Sequence, residues 1–138
     1  MNNIELIKFA KSALLYAYAP YSGYCVGSAL LTKSGKVYTG CNIENAAFSP
    51  TNCAERTAFF KAISEGERAF EKIAIICSKN GDIDTNASPC GVCRQVMREF
   101  CDDDFTVIIA TSDNTFKEYK LSDLLPLSFS NKNIGGNI

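Results

Sequence analysis

The sequence predicts an α/β protein, a three-layer α/β/α sandwich around a mixed sheet of about five strands. Segments with helical and extended patterns follow one another in the order αββαβαββ, which is typical of a sheet with helices packed on its faces. The extended segments are apolar on both sides, so both faces of the sheet should be covered. The 138 residues suffice for one hydrophobic core, and we expect a single domain over residues 1–138.

The first element is an amphipathic helix over residues 2–19, which Pro20 should end. Polar residues such as Glu5 and Lys8 can stay in water. The apolar residues expected near one face are Ile4, Ile7, Leu14, Leu15 and Tyr18.

A β-hairpin follows. Its strands cover residues 24–31 and 37–42, and the turn lies at residues 33–36. Gly27 should allow another backbone to come close. Residues 42–50 show no period, so we expect a loop that brings polar side chains next to the following helix.

The second half alternates helices and strands. A helix should start at Cys53 and stop at Gly66. Pro89 favours the start of another helix that runs to about Cys101. The apolar segments expected to be strands are residues 72–77, 105–110 and 116–121.

The C-terminal elements are short. Residues 122–125 should form a helical turn that Pro126 stops, and residues 80–88 should be a loop. Residues 130–138 are rich in Asn and Gly, so we expect a tail that is mobile beyond Phe129.

Composition and charge exclude several classes of function. The formal net charge is −1 and no Lys/Arg cluster is present, which disfavours a nucleic-acid partner. No apolar run reaches the roughly 18 residues of a membrane span. The N-terminus carries Glu5 and lacks the layout of a signal peptide.

Seven cysteines and no histidine set the available chemistry. An odd number of cysteines without an export signal favours a reducing compartment, and we expect a cytoplasmic protein. There, clustered cysteines favour metal binding or catalysis. We interpret the four scattered cysteines as packing residues, and these are Cys25, Cys41, Cys77 and Cys101.

Cys90 and Cys93 share one face at the expected start of a helix, where the positive end of the helix favours thiolates. Alone, this pair could equally be a redox pair or two small residues in a first turn. Cys53 adds a third sulfur at the start of another helix. Three sulfur ligands with one open position are the layout of a catalytic zinc site, whereas ordinary core cysteines are the alternative.

Glu55 lies two residues after Cys53, a spacing that separates two side chains within a regular helix. The two can converge only if Cys53 is at the cap, where the backbone is not yet helical. Three thiolates would leave a zinc site with a charge of −1. Arg56 can donate hydrogen bonds to the sulfurs and correct that charge.

The sequence resembles the cytidine deaminase family, in particular its small homotetrameric branch with an all-cysteine zinc site. A metal ligand, a nearby Glu and a later Pro-Cys-x-x-Cys are shared by zinc nucleobase deaminases. Cys53 here replaces the commoner His. The motifs that carry the resemblance are Asn42-Ile43-Glu44-Asn45-Ala46, Thr51-Asn52-Cys53-Ala54-Glu55-Arg56-Thr57-Ala58, Pro89-Cys90-Gly91-Val92-Cys93-Arg94-Gln95 and Leu124-Leu125-Pro126-Leu127-Ser128-Phe129.

The resemblance implies hydrolysis of cytidine and 2′-deoxycytidine to uridine and 2′-deoxyuridine plus ammonia, in pyrimidine salvage. One Zn²⁺ per subunit would activate water, and Glu55 would carry protons to the base. Backbone groups around Ala54 and Cys90 would hold the base edge. Asn42 and Glu44 would bind the ribose, and Glu44 disfavours a phosphorylated substrate.

The resemblance also assigns three aromatic residues to substrate binding. Tyr24 stands where the family usually has a stacking Phe, and Phe48 stands where Tyr is frequent. Phe129 matches an aromatic residue that a neighbouring subunit contributes, so we expect a homotetramer. Cys25 stands where Pro is frequent, which leaves the packing of the pocket open.

Two other functions remain open. A related aminohydrolase acting on blasticidin S shares the zinc pattern, although the Arg-Thr-Ala after Glu55 favours cytidine. A zinc-stabilised binding module without turnover would need a fourth protein ligand and a basic or aromatic face. The sequence offers no histidine and no basic patch for it.

Overall fold

A mixed β-sheet forms the middle layer of the computed structural model, which describes residues 1–135. The strands within these residues are β1 Tyr24–Thr32, β2 Val37–Cys41, β3 Phe70–Lys79, β4 Asp82–Ile83, β5 Thr106–Ala110 and β6 Phe116–Lys120. The helices are α1 Asn3–Leu14, α2 Ala54–Ser64, α3 Gly91–Phe100 and α4 Leu121–Leu124, followed by a 3₁₀-helix at Asn131–Ile134.

The strand order is β2-β1-β3-β5-β6, and β4 pairs with the end of β3. Strands β3 and β5 run parallel, with α3 in the connection between them, whereas every other pair is antiparallel. The sheet is therefore mixed, as the sequence predicts. It gains β4 as a sixth strand inside the stretch predicted to be a loop. Two residues are too few to show a strand pattern, although Ile83 pairs with Ser78 and packs against the core cluster beneath α1.

Alternate residues of the central strands face opposite layers. Ile73 and Ile75 of β3 belong to the core beneath α2 and α3, while Ala74 and Ile76 pack towards α1. This alternation follows from the two-residue period of a strand. It confirms the three-layer α/β/α arrangement.

Helix α1 is shorter than the predicted 2–19. Its buried face consists of Leu6, Ile7, Ala10 and Ala13. Leu15 and Tyr18, predicted near the buried face, are 78% and 56% exposed, so that part of the prediction is wrong.

The helix stops before Pro20 because the segment that follows Leu14 forms backbone hydrogen bonds with the chain after β2. The amide of Tyr18 donates to the carbonyl of Asn42 at 3.0 Å, and its carbonyl accepts from the amide of Glu44 at 2.8 Å. These long-range backbone bonds tie the chain after α1 to the loop that follows β2.

The remaining boundaries match the predicted elements closely. Gly66, with φ of +99°, follows α2, as predicted. Strand β3 is longer than the predicted 72–77 at both ends. The predicted mobile tail begins instead with the 3₁₀-helix, capped by Ser130, and residues 136–138 of that prediction lie outside the described residues. No helix among the described residues is long and apolar enough to cross a membrane.

Two glycines let helices approach the sheet closely. A Cβ on Gly27 would overlap the carbonyl of Ala10 and lie 2.6 Å from the amide nitrogen of Leu14. A Cβ on Gly40 would overlap the carbonyl of Ala54 at the start of α2. The predicted close approach at Gly27 is confirmed, and Gly40 sets how near the N-terminus of α2 lies to the sheet.

We expect Gly27→Ala to lower the free energy of unfolding by about 3 kcal/mol, since rigid backbone, and no flexible side chain, occupies the space of the new methyl group. Denaturant unfolding would measure the change. Gly91→Ala is the matched control, because no atom lies within 4 Å of its Cβ position. Equal stability of Gly27→Ala and wild type would contradict this packing.

Candidate active site

Cys53 and Cys90 occupy the N-cap positions of α2 and α3. Their backbones are extended, with φ/ψ of −80°/157° and −67°/164° respectively. Cys53 therefore lies outside the regular turns, as the spacing to Glu55 predicts. Sγ of Cys90 accepts from the amide of Cys93 at 3.4 Å, whereas the side chain of Cys53 makes no capping hydrogen bond. Both thiols stand at a helix N-terminus, which carries a partial positive charge.

Three sulfurs meet between the two helix starts. The Sγ atoms of Cys53, Cys90 and Cys93 lie within 4.8 Å of one another, and those of Cys53 and Cys90 are 3.7 Å apart. Two sulfurs bound to one tetrahedral zinc at about 2.3 Å are expected about 3.8 Å apart. The three cysteines are thus positioned to bind a metal ion, and an all-thiolate set suits zinc.

The cluster of sulfurs concentrates negative charge. Hydrogen bonds from Cys93, Arg56 and Cys90 lower the pKa of Cys53 to about 5, against the opposing effect of burial. The pKa of Cys93 is raised, because its thiol donates to Cys53 and is buried beside it. Without a cation, the cluster thus holds one thiolate, at Cys53, and Cys93 keeps its proton. A bound divalent cation would favour deprotonation of Cys93 as well.

Arg56 contacts the cluster directly. Its Nη2 donates to Sγ of Cys53 at 3.3 Å, and its buried Nε has no hydrogen-bond partner within residues 1–135. The guanidinium is thus close enough to offset part of the thiolate charge, which is the geometry that the predicted role requires.

Glu55 lies in the first turn of α2 and is only 4% exposed. Burial raises the pKa of its carboxyl group to about 7, and the charge of the Cys53 thiolate acts in the same direction. A carboxyl group whose pKa is near neutrality can both accept and release a proton there. Its place in the first turn of α2 and a pKa near neutrality make Glu55 a candidate proton carrier.

Asn42 is buried, and its side chain forms hydrogen bonds with the backbone of β1. Its Oδ1 accepts from the amide of Val26 at 2.8 Å, and its Nδ2 donates to the carbonyl of Tyr24 at 2.7 Å. A carboxamide has two donor hydrogens and two acceptor lone pairs. One of each is left for a ligand, and the backbone bonds fix their direction.

Glu44 closes the turn before β1. Its carboxylate accepts from the amides of Tyr21 and Ser22 at 2.9 and 3.1 Å, and from the hydroxyl of Ser22. These bonds, led by the hydroxyl, lower the pKa of Glu44. The carboxylate is therefore charged at neutral pH.

A cavity of about 440 Å³ opens beside Glu44 and Phe48. Phe48 is 70% exposed, and its ring meets that of Tyr21 edge to face at 6.0 Å. Its φ of +59° is unusual for a bulky residue. The other residues around the cavity are Tyr21, Ser22 and Thr51.

The structure places the other predicted residues in different surroundings. Tyr24 is half-buried, and Ala54 is fully buried with its carbonyl accepting from the hydroxyl of Ser28 at 2.8 Å. Phe129 is 60% exposed and lies outside the residues that line the cavity. Within one chain, therefore, Phe129 does not complete the pocket beside Glu44.

Arg94 has a role that the sequence did not reveal. Its Nε donates to the carbonyl of Pro89 at 2.7 Å, and its Nη1 donates to that of Leu124 at 2.6 Å. Gln95 donates to the carbonyl of Phe129 at 2.8 Å. The two residues after Cys93 thus tie the start of α3 to the C-terminal segment. The sequence could not predict these bonds, because their acceptors are backbone carbonyls, which every residue has. The only available indication was that both residues directly follow Cys93.

Comparison with known proteins agrees with this geometry. Residues 1–109 match the family described as the cytidine and deoxycytidylate deaminase zinc-binding region. A cytidine deaminase from Sporosarcina psychrophila is 46% identical over 94% of this chain and 93% of its own. A blasticidin-S deaminase from Bacillus cereus is 27% identical over 93% of this chain and 92% of its own.

A solved structure shares the fold. The crystal structure of cytidine deaminase from Burkholderia pseudomallei matches with a TM-score of 0.83 and 42% identity. The match covers 94% of this chain and all of that chain, 100%. The mixed sheet with helices on both faces is thus the fold of a characterised enzyme.

We expect an alkylating reagent to modify Cys53 in the metal-free protein at neutral pH well before Cys77, whose pKa burial raises to about 12. Thiolates react and thiols do not, so mass spectrometry of timed samples should show this order. Added zinc should slow the labelling of Cys53. Labelling of Cys77 as fast as Cys53, or no protection by zinc, would contradict the assignment.

Proposed function

This chain belongs to the cytidine and deoxycytidylate deaminase family, and we propose that it hydrolyses cytidine and 2′-deoxycytidine. Water replaces the 4-amino group, giving uridine or 2′-deoxyuridine and ammonia. The observation that carries the proposal is the meeting of three cysteine sulfurs with one buried carboxyl group at the start of α2. The activity fits a role in pyrimidine salvage.

Cys53, Cys90 and Cys93 would hold one zinc ion per chain. Bound there, zinc supplies a Lewis acid that activates water for attack on C4 of the base. Arg56, which donates to Sγ of Cys53, offsets the charge of the three thiolates. Among the described residues only these three ligand atoms form the group, so a fourth position would be left for water or substrate.

Glu55 moves the protons. Its carboxylate accepts a proton from the attacking water and delivers one to N3 of the base, which lets the ring accept the new bond at C4. It then takes the second proton from the new hydroxyl on C4 and passes it to the amine, so that the C4–N bond breaks, the C4 carbonyl forms and ammonia leaves. Burial supports this role, since a pKa of about 7 makes both transfers accessible near neutral pH. The amides at the start of α2, including that of Ala54, can orient the base edge.

Asn42 and Glu44 bind the ribose hydroxyls. The support is their place on the loop after β2, with one free donor and acceptor on Asn42 and a charged carboxylate on Glu44. Tyr24 and Phe48 flank the nucleoside. Among residues 1–135, no lysine or arginine lines the cavity beside Glu44, so a substrate phosphate would meet the charge of Glu44 without a compensating cation from these residues.

A homotetramer would complete the pocket. Leu127 and Phe129 are exposed on the C-terminal segment, at 106% and 60%, and exposed apolar residues of this size favour an interface. Phe129 of one subunit would then reach the site of its neighbour. The seven free cysteines favour a reducing compartment, so we place the enzyme in the cytoplasm.

Turnover assays separate this function from its rivals. Cytidine and deoxycytidine should lose the absorbance of the amino-pyrimidine, whereas deoxycytidylate and blasticidin S should react far more slowly. The higher identity to a cytidine deaminase than to a blasticidin-S deaminase, 46% against 27%, supports this order. No reaction of cytidine at any pH between about 6 and 9 would overturn the proposal. Zinc binding without turnover would favour a binding module.

Glu55→Gln should keep its zinc and lose turnover by a factor of at least about 10²–10⁴, because the amide cannot carry protons. Cys53→Ala should instead lose the metal. Metal analysis and initial rates on the same samples measure both effects. Full activity in Glu55→Gln would show that another group moves the protons.

Mixing two defective variants tests the shared pocket. Glu55→Gln lacks the proton carrier, and Phe129→Ala lacks the aromatic residue that is contributed to a neighbour. If Phe129 acts across subunits, co-expression of the two should give more activity than either alone, because a site can combine Glu55 of one chain with Phe129 of the other. Gln95→Ala, which frees the carbonyl of Phe129, should weaken substrate binding to a smaller extent. An active monomer in light scattering would refute the shared pocket.

A further inference from the structure

Tyr24 is held by hydrogen bonds at both its backbone and its side chain. Its amide donates to Oγ of Ser22 at 3.0 Å, and its carbonyl accepts from Nδ2 of Asn42 at 2.7 Å. Its phenol donates to Oδ2 of Asp84 at 2.7 Å. Ser22 also donates to Glu44. Both residues proposed to bind ribose are therefore connected to Tyr24.

Asp84 is itself fixed. Its amide donates to the carbonyl of Cys77 at 2.8 Å, and its Oδ1 accepts from the amide of Asn86 at 3.0 Å. It directly follows β4, whose Ile83 pairs with Ser78. The carboxylate thus stands on the β3–β4 hairpin as a rigid acceptor for the phenol.

The ring of Tyr24 lies on the same face of the sheet as the cysteine cluster. Tyr24 and Cys53 pack against the same core cluster, to which Cys77 and Cys93 belong. The ring is therefore in the layer that contains the proposed site, while its phenol is bonded to Asp84.

We propose that Asp84 is a positioning residue, which locks the ring of Tyr24 against the nucleoside and ties the ribose-binding loop to the β3–β4 hairpin. This inference rests on the proposed function, because it takes Tyr24 as a wall of the substrate pocket. This role would account for a tyrosine at position 24, because phenylalanine has the same ring but no hydroxyl group to donate to Asp84.

The lock acts on substrate binding more than on chemistry. A ring that is already fixed loses no further freedom when the nucleoside stacks on it, so affinity rises. The phenol points to Asp84 and not to the reacting atoms. Removing it should therefore change KM and leave kcat nearly unchanged.

The test uses zinc-loaded enzyme and four variants. Tyr24→Phe should raise KM for cytidine roughly 5- to 10-fold with kcat within about twofold, because only the charged hydrogen bond is lost. Asp84→Ala should have the same effect, and adding it to Tyr24→Phe should change little more. Asp84→Asn, which keeps an acceptor oxygen, should restore most of the affinity.

Tyr38→Phe is the matched control. Its phenol also donates to a carboxylate, that of Glu67 at 3.4 Å, but Glu67 follows the C-terminal end of α2, away from Cys53. KM should not change in this variant. Amide hydrogen exchange tests the bond between Tyr24 and Asp84 independently of catalysis. The amides of residues 82–86 should exchange faster in Tyr24→Phe than in Tyr38→Phe.

The outcomes separate the two proposals. Wild-type protein that leaves cytidine intact overturns the proposed function, whereas the exchange measurement still tests the lock. Active wild type, with unchanged KM and exchange in Tyr24→Phe, overturns the lock alone. Independent effects of Tyr24→Phe and Asp84→Ala in the double variant would also overturn it, since partners in one hydrogen bond must be coupled.

Discussion

Holding three thiolates together is the constraint on which the site depends. Like charges a few ångströms apart repel strongly at low dielectric. The pKa of Cys53 is lowered and that of Cys93 is raised, mainly because the Cys93 thiol keeps its proton and donates a hydrogen bond to Cys53. Two helix N-termini and the guanidinium of Arg56 supply positive charge from the protein, and a divalent cation supplies the rest. Glu55 lies in the first turn of α2, which begins directly after the N-cap Cys53. The helix start that places Cys53 in the cluster therefore also places Glu55.

The sheet brings the N-termini of α2 and α3 to one place. Gly40 lets α2 settle close to β2, which sets the depth of Cys53 and Glu55. The connection from β3 to the parallel strand β5 places Cys90 beside them. On the far side of α3, Arg94 and Gln95 bind the C-terminal segment. Side-chain hydrogen bonds thus join α3, which begins at the metal ligands, to the segment that carries Phe129.

Local patterns account for what the sequence could reveal. The spacing of Cys53 and Glu55 requires a cap position, and apolar strands require two covered faces, so both features could be predicted. The end of α1 and the hydrogen bond between Tyr24 and Asp84 could not, because each depends on residues distant in the chain. Asp84 in particular sits in a polar stretch with no periodic signal. The resemblance to a family supplied the ribose-binding and aromatic residues, which spacing alone does not assign.

The proposed reaction requires one zinc ion, which three cysteines would hold. Titrating metal-free protein with zinc, while measuring bound zinc and the initial rate of cytidine deamination in the same samples, tests this requirement most directly. We expect activity to rise in proportion to bound zinc and to level off at one ion per chain. Full activity without zinc, or one bound zinc per chain with no deamination, would contradict this expectation.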